Sequence, residues 1–113
     1  MFTYEKFPVY QKAHNLYTEI LGTITEAKVN YIVSDQLQRA LLSIIANIAE
    51  GTGKFSKRDK QNFYRIARGS CHESAALVKV LSNFCIDNDL IQKWYEELVI
   101  IGKMLTGMIR TFA

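Results

Sequence analysis

Apolar residues recur at intervals of three and four along most of the chain, which is the spacing of one face of an α-helix. Short polar or glycine-containing segments divide this pattern into four stretches. They predict a first helix from about Val9 to Ala27, a second from about Ser34 to Glu50, a third from Ser56 to about Ile86, and a fourth that follows the Asp87–Asp89 turn and continues nearly to Ala113. Ser34 and Ser56 are the predicted N-caps of the second and third helices, and residues 87–89 are predicted to supply a turn and a cap for the fourth. With no convincing strand and short connections, the pattern predicts an all-α, up-down-up-down antiparallel four-helix bundle, a single domain over residues 1–113.

The third and fourth predicted helices each carry a long apolar stripe. On the fourth helix the apolar positions alternate between steps of three and four, as in the seam of a helical bundle: Ile91, Trp94, Leu98, Ile101, Leu105, Met108 and Phe112. On the third helix the predicted core stripe comprises Phe63, Ile66, Ala67, Ser70, Ser74, Leu77, Val78, Leu81 and Phe84. We expect both stripes to face the centre of the bundle.

The second predicted helix is apolar on almost all sides. One face holds Leu37, Ala40, Leu41, Ile44, Ile45 and Ile48, and a second strip holds Leu42, Ala46 and Ala49. Such a helix is normally buried nearly all round, which favours a homo-oligomer in which the second strip packs on another chain. In the alternative, the strip lies under neighbouring helices of a monomer.

Polar residues on the second and third helices predict a structural polar network between them. Because polar groups in a poorly hydrated setting need partners, we assign Arg39, Asn47, Glu50, Ser70 and Glu73 to this network. Arg39 is expected to pair with Glu73 or with Glu50 of another chain, since Arg39 and Glu50 lie about 16 Å apart along one helix. The alternative role for Glu50 and Glu73, as general acid and base, lacks a nucleophile or a metal nearby.

Two short motifs resemble known sites only in part. G-T-G-K at residues 51–54 lacks the first glycine and the preceding strand of a phosphate-binding loop, so Gly51 and Gly53 are interpreted as a left-handed helix stop and a tight corner. H-E-S-A-A at residues 72–76 lacks the second histidine of a zinc-protease helix. The sequence therefore predicts no metal site, no cofactor and no enzymatic activity.

Positive charge is concentrated at the start of the third helix. Residues 53–68 hold six basic residues against the single acid Asp59, a net charge of +5, whereas the rest of the chain holds 8 basic and 10 acidic residues. Lys57, Arg58, Arg65 and Arg68 should point into solvent together, opposite the core stripe. We predict a nucleic-acid-binding face made of Lys54, Lys57, Arg58, Lys60, Arg65 and Arg68. The alternative is an ordinary solvated face.

Two aromatic residues lie within the same segment. Phe55 and Tyr64 could stack on bases, but packing in the core or in an interface is favoured for both.

The composition predicts a cytosolic protein of one domain. The chain has 113 residues, of which 49% are hydrophobic, and no window is apolar enough to span a membrane. Glu5 and Lys6 stand where a signal peptide would have its apolar core. Cys71 and Cys85 fall in one predicted helix, about 21 Å apart, so both are expected to be reduced.

A two-part motif resembles that of a known family. R-A-x-x-S-I-x-A-N-I-A-E-G at residues 39–51, followed by G-S-x-x-E at residues 69–73, is similar to the four helix bundle protein family, whose first known members are encoded in intervening sequences of bacterial 23S ribosomal RNA genes. The segment from Val9 to Ala13 resembles its first-helix motif, with Tyr10 where a Trp is common, and Ile45 stands where the family often has Pro. The resemblance implies a homopentamer without enzymatic activity. A related branch, the accessory protein of diversity-generating retroelements, is a basic pentamer that associates with nucleic acid and a reverse transcriptase.

Taken together, charge and resemblance predict a non-enzymatic, homo-oligomeric four-helix bundle. Its expected partners are further copies of itself, structured RNA or DNA or a ribonucleoprotein, and a reverse transcriptase or other protein. The alternative is a scaffold that binds other proteins and makes no direct contact with nucleic acid.

Overall fold

Four antiparallel helices make up almost the whole molecule. The computed structural model describes all residues from Met1 to Ala113. The helices are α1 (Pro8–Glu26), α2 (Tyr31–Thr52), α3 (Lys57–Val80) and α4 (Asn88–Thr111), and short 3-10 turns lie at Thr3–Lys6 and Leu81–Asn83. α1 and α3 each pack against both α2 and α4, while the backbones of the two diagonal pairs lie farther apart. This arrangement confirms the predicted all-α, up-down-up-down bundle, which measures 44 × 25 × 22 Å.

Side-chain caps set the starts of three helices. Ser56 Oγ accepts the N–H of Asp59 at 3.0 Å at the start of α3, which confirms its predicted role, and Asp87 Oδ1 accepts the N–H of Asp89 at 2.7 Å at the start of α4. For α2 the predicted cap, Ser34, is wrong. Asn30 Oδ1 accepts the N–H of Ile32 at 2.8 Å, and the helix begins at Tyr31. The preceding turn passes through Lys28, whose φ of 53° lies in the left-handed region.

The third helix ends earlier than its apolar pattern predicts. α3 stops at Val80, and the chain tightens into the 3-10 turn that buries Leu81. Asn83 Nδ2 donates to the carbonyl of Val80 at 3.0 Å and thereby satisfies one of the carbonyls at the helix end. Phe84 then takes an extended conformation. Residues 81–86 therefore continue the apolar pattern without continuing the helix.

The core lies along the centre of the bundle around Trp94. The predicted stripe of α4 is confirmed for Ile91, Trp94, Leu98, Ile101 and Leu105, all of which are buried. The stripe of α3 is rotated relative to the prediction. Tyr64 and Cys71 are buried, whereas Ile66 is about half exposed, at 51%. The rotation follows from packing on two sides, because α3 contacts α4 as well as α2.

The prediction that Gly51 ends α2 in a left-handed conformation is wrong. α2 continues through Gly51 to Thr52, Gly53 is right-handed, and no glycine in the chain has a positive φ. Gly51 is instead required by close packing. A β-carbon at this position would lie 2.7 Å from Cε1 of Tyr64, well inside van der Waals contact. The missing side chain thus creates the slot into which Tyr64 fits, with its hydroxyl 3.2 Å from Oγ1 of Thr52.

Candidate nucleic-acid interface

Small polar side chains join α2 and α3 at the middle of their contact. The hydroxyl oxygens of Ser43 and Ser70 are 2.6 Å apart. Asn47 Nδ2 donates to the carbonyl of Ser43 at 2.8 Å and to its hydroxyl at 3.1 Å, and Ser74 Oγ donates to the carbonyl of Ser70 at 2.8 Å. The predicted network is therefore present in part, with Asn47 and Ser70 linked through Ser43. Ser43 was not among the residues that the sequence analysis assigned to this network.

The three charged members of the predicted network do not join it within one chain. Arg39 Nε donates to Asp35 Oδ2 at 2.9 Å, and this hydrogen bond, together with the carboxylate charge, raises the pKa of the Arg39 guanidinium. Glu50 pairs with Lys54 at 3.6 Å. Glu73 is exposed and forms no ion pair. Pairing of Arg39 with Glu73 is therefore wrong for the single chain, and pairing with Glu50 of another chain stays a prediction.

Four of the six predicted basic residues form an open cationic face on α3. Lys57, Arg58, Arg65 and Arg68 are all exposed, on the side of the helix that turns away from the core. None of them forms an ion pair or donates a side-chain hydrogen bond; in this chain only Lys54, Lys93 and Arg39 have acidic partners. We refer to these four residues as the basic face. Their charges are compensated only by solvent.

The other two predicted basic residues have partners inside the chain. Lys60 Nζ donates to the carbonyl of Thr52 at 3.0 Å and to that of Gly51 at 3.5 Å, so it satisfies the end of α2. Lys54 pairs with Glu50 and lies over the ring of Phe63, 5.2 Å from its centroid. Both side chains are partly buried. Lys54 and Lys60 therefore stabilise the α2–α3 corner and are less free to reach a ligand.

A groove between α3 and α4 extends the cationic surface beyond the predicted residues. Its cavity has a volume of about 380 Å³, and Arg68, His72 and Lys103 line it without any acidic residue. Sequence reasoning missed Lys103 because it lies 35 residues from Arg68 along the chain. Only the antiparallel packing of α3 on α4 brings the two together, as shown by the hydrogen bond from Gln61 Nε2 to the carbonyl of Ile109 at 3.1 Å.

The floor of this groove is apolar and includes the thiol of Cys71. Cys71 Sγ donates to the carbonyl of Leu98 at 3.0 Å. Burial raises the pKa of the Cys71 thiol to about 11, while a backbone hydrogen bond from Gly102 acts in the opposite direction. The thiol is therefore protonated at neutral pH, a state unsuited to nucleophilic attack or metal binding.

The second apolar strip of α2 is open to solvent. Leu42 is 46% exposed, Ala46 is exposed and Ala49 is half-buried. The neighbouring helices leave Leu42 and Ala46 exposed and cover Ala49 only in part, so the alternative in which the whole strip lies under helices of the same chain is not found. Phe2 and Tyr4 of the N-terminal turn lie beside the strip and line a shallow groove with Ala46, Ala49 and Glu50. We refer to Leu42, Ala46 and Ala49 as the apolar strip.

The remaining surface has few groups that could form another type of site. No cluster of three or more His, Cys, Asp or Glu side chains is arranged to hold a metal ion. Glu50 lines the shallow groove beside Phe2, but Glu73 does not line it, so this cavity does not join the two carboxylates. No helix is both long and apolar enough to cross a membrane.

These features define a small antiparallel four-helix-bundle protein with one cationic face and one exposed apolar strip. The chain matches the family described as 23S rRNA-intervening sequence protein over residues 5–107 and belongs to that family, as the two-part motif indicated. A solved structure from Bacteroides thetaiotaomicron, described as a protein of unknown function from the S23 ribosomal protein family, has the same fold. The two align with a TM-score of 0.81 and 22% identity, over 90% of this chain and 95% of that one. No curated protein sequence matches the chain.

Proposed function

We propose that this protein is a non-enzymatic, homo-oligomeric bundle that binds structured nucleic acid, alone or in a ribonucleoprotein, through the basic face of α3. The observation that carries this proposal is the set of four exposed cations, Lys57, Arg58, Arg65 and Arg68, without acidic partners on one side of one helix. Such a face attracts phosphates, whose neutralisation releases condensed counterions. Arg68 also connects the face with His72 and Lys103 across the α3–α4 groove.

Assembly strengthens this proposal, because one chain offers only a few phosphate contacts. The apolar strip supplies a surface for self-association: Leu42 is 46% exposed, and covering this exposed part would stabilise by on the order of 1 kcal/mol. A ring would repeat the basic face at regular intervals and raise the overall affinity without any new type of contact. Five subunits are the number that the family resemblance implies. A cytoplasmic location belongs to the same proposal and agrees with the two free cysteines, Cys71 and Cys85.

The test is the salt dependence of binding to a structured RNA hairpin, measured by fluorescence anisotropy. The test variant reverses Lys57, Arg58, Arg65 and Arg68 to Glu. The control reverses four exposed lysines outside the basic face, Lys6, Lys28, Lys79 and Lys93, and so produces the same change in net charge. We expect the native protein to lose affinity steeply with salt, the control to keep binding, and the test variant to lose it. Equal binding by the test variant and the control would refute the proposal.

The second candidate function is a scaffold for other proteins, and the α3–α4 groove favours it. The lining of the groove includes Ala75, Leu98 and Val99, which are apolar, and Val99 is exposed. In this case native protein and test variant would both fail to bind RNA at low salt. Partners captured by the protein would survive nuclease treatment and high salt.

A further inference from the structure

The two aromatic residues within residues 53–68, which we call the basic segment, differ in how far they are buried. Tyr64 is 1% exposed and fills the slot at Gly51, so it belongs to the core and is not available to a ligand. Phe55 lies in the corner between α2 and α3 and is fully exposed, so the packing expected for it is not found within the chain. Of the two, only Phe55 presents its ring to a ligand.

The corner that carries Phe55 is held in place on both sides. Before it, the N–H of Gly53 donates to the carbonyl of Ala49 and the N–H of Lys54 donates to that of Gly51, both at 3.2 Å. After it, Ser56 caps α3. Lys60 also ties the start of α3 to the end of α2 through Thr52. Because the backbone of this corner is already fixed, only the side-chain torsions of Phe55 would have to be ordered on binding, which favours a contact with a ligand.

The charges around Phe55 match those of surfaces that bind single-stranded nucleic acid. Lys57 and Arg58 follow it by two and three residues and are exposed without partners, whereas the charge of Lys54 is directed to Glu50. The one acid of the segment, Asp59, is also exposed. A single exposed apolar residue is common on protein surfaces. An exposed ring beside free cations, however, is the combination that binds a stacked base together with its phosphates.

We propose that Phe55 is the stacking site for one unpaired base of the bound nucleic acid. This inference rests on the proposed function and specifies its ligand: an RNA or DNA that presents a loop, bulge or end. A base inside a continuous duplex is already stacked on both faces, and freeing it costs a few kcal/mol, about as much as one stacking contact returns. The bases of unpaired loops are free to be splayed out and stacked on aromatic side chains.

The test compares two probes, a hairpin RNA with an unpaired loop and a blunt duplex of the same length. Phe55→Ala should weaken hairpin binding about tenfold, since base–aromatic stacking is worth on the order of 1–3 kcal/mol. Its salt slope and its duplex affinity should equal those of the native protein, because no charge is removed. Phe55→Trp should retain hairpin binding. Tyr31→Ala is the matched control, since Tyr31 is a 79% exposed aromatic at the opposite end of α2, and it should have no effect.

A direct readout comes from 2-aminopurine in the hairpin loop, whose fluorescence should be quenched by the native protein but not by Phe55→Ala. Equal hairpin binding by Phe55→Ala and native protein would overturn the stacking inference. If the charge-reversal variant still lost binding in that case, the proposed function would stand. If neither Phe55→Ala nor the charge-reversal variant lost binding, the stacking inference and the proposed function would both be refuted. A smaller assembly of Phe55→Ala in sedimentation would also overturn the inference, because it would assign Phe55 to a subunit contact.

Discussion

The outward faces of α2 and α3 are neighbours on the bundle, but they lack different kinds of contact: the face of α3 lacks ion pairs, and the face of α2 lacks apolar packing. The basic face of α3 presents charge without ion-pair partners, and water compensates that charge at little cost. The apolar strip of α2 presents Leu42, which water does not compensate. The difference corresponds to the two kinds of partner that we propose. A second protein surface would bury the strip, whereas an anionic ligand would occupy the basic face, and neither contact excludes the other.

The largest expected effect is on the oligomeric state and tests the apolar strip of α2. Leu42→Glu places a charge in the apolar strip and should dissociate the proposed oligomer, because a buried, unpaired carboxylate is far more costly than an exposed one. Ile100→Glu on α4 is the matched control, since Ile100 is also 46% exposed, and it should leave the assembly intact. Molar mass from light scattering measures both variants. An intact Leu42→Glu assembly would show that the strip is not the subunit interface.

An intermediate effect is expected on stability and concerns the contact between α2 and α3, the helices that carry the two faces. Gly51→Ala adds a methyl group 2.7 Å from the ring of Tyr64 and should lower the free energy of unfolding by about 1–3 kcal/mol through overpacking. Gly53→Ala is the control, because its β-carbon meets nothing closer than 3.6 Å. Fluorescence of the buried Trp94 during urea unfolding measures both. Equal midpoints for the two variants would contradict the packing role of Gly51.

The smallest effect distinguishes two lysines of the basic segment, Lys60 and Lys57. Lys60→Ala removes the hydrogen bonds to the end of α2 and should cost about 1 kcal/mol of stability with little change in RNA affinity. Lys57→Ala removes a free charge and should do the reverse, with unchanged stability and a shallower salt dependence of binding. Urea unfolding and anisotropy on the same two proteins provide the comparison. The division would be wrong if both variants lost RNA affinity equally.

Most of the fold could be predicted from local patterns. The seam of α4, the caps Ser56 and Asp87, and the exposed position of Lys57, Arg58, Arg65 and Arg68 all follow from helical periodicity and capping chemistry. Predictions failed where two local signals competed. Ser34 is a plausible cap, but Asn30 lies ahead of it and fulfils the same role, and the apolar residues after Val80 continue to pack after the helix has ended.

The place of the basic residues could be predicted from the sequence, whereas the structure shows which of them face solvent and which have partners within the chain. A count of charges locates the basic segment, but it does not distinguish a lysine that faces solvent from one that closes a helix end. Lys60 differs from Lys57 only because the end of α2 lies within reach of its side chain. Lys103 adds to the cationic surface for the same type of reason, since the register of α4 against α3 decides its position.

Local sequence patterns account for the four helices, the buried stripe of α4 and the place of the excess charge, because each of these depends on residues within a few turns of one another. Which side chains meet across helices follows from the packed fold and not from local patterns. The packed fold placed Tyr64 in the slot of Gly51, linked Ser43 with Ser70, and left Phe55 in solvent. The physical reason is that such contacts depend on how the helices are rotated and aligned, which is settled by the packing of the whole core.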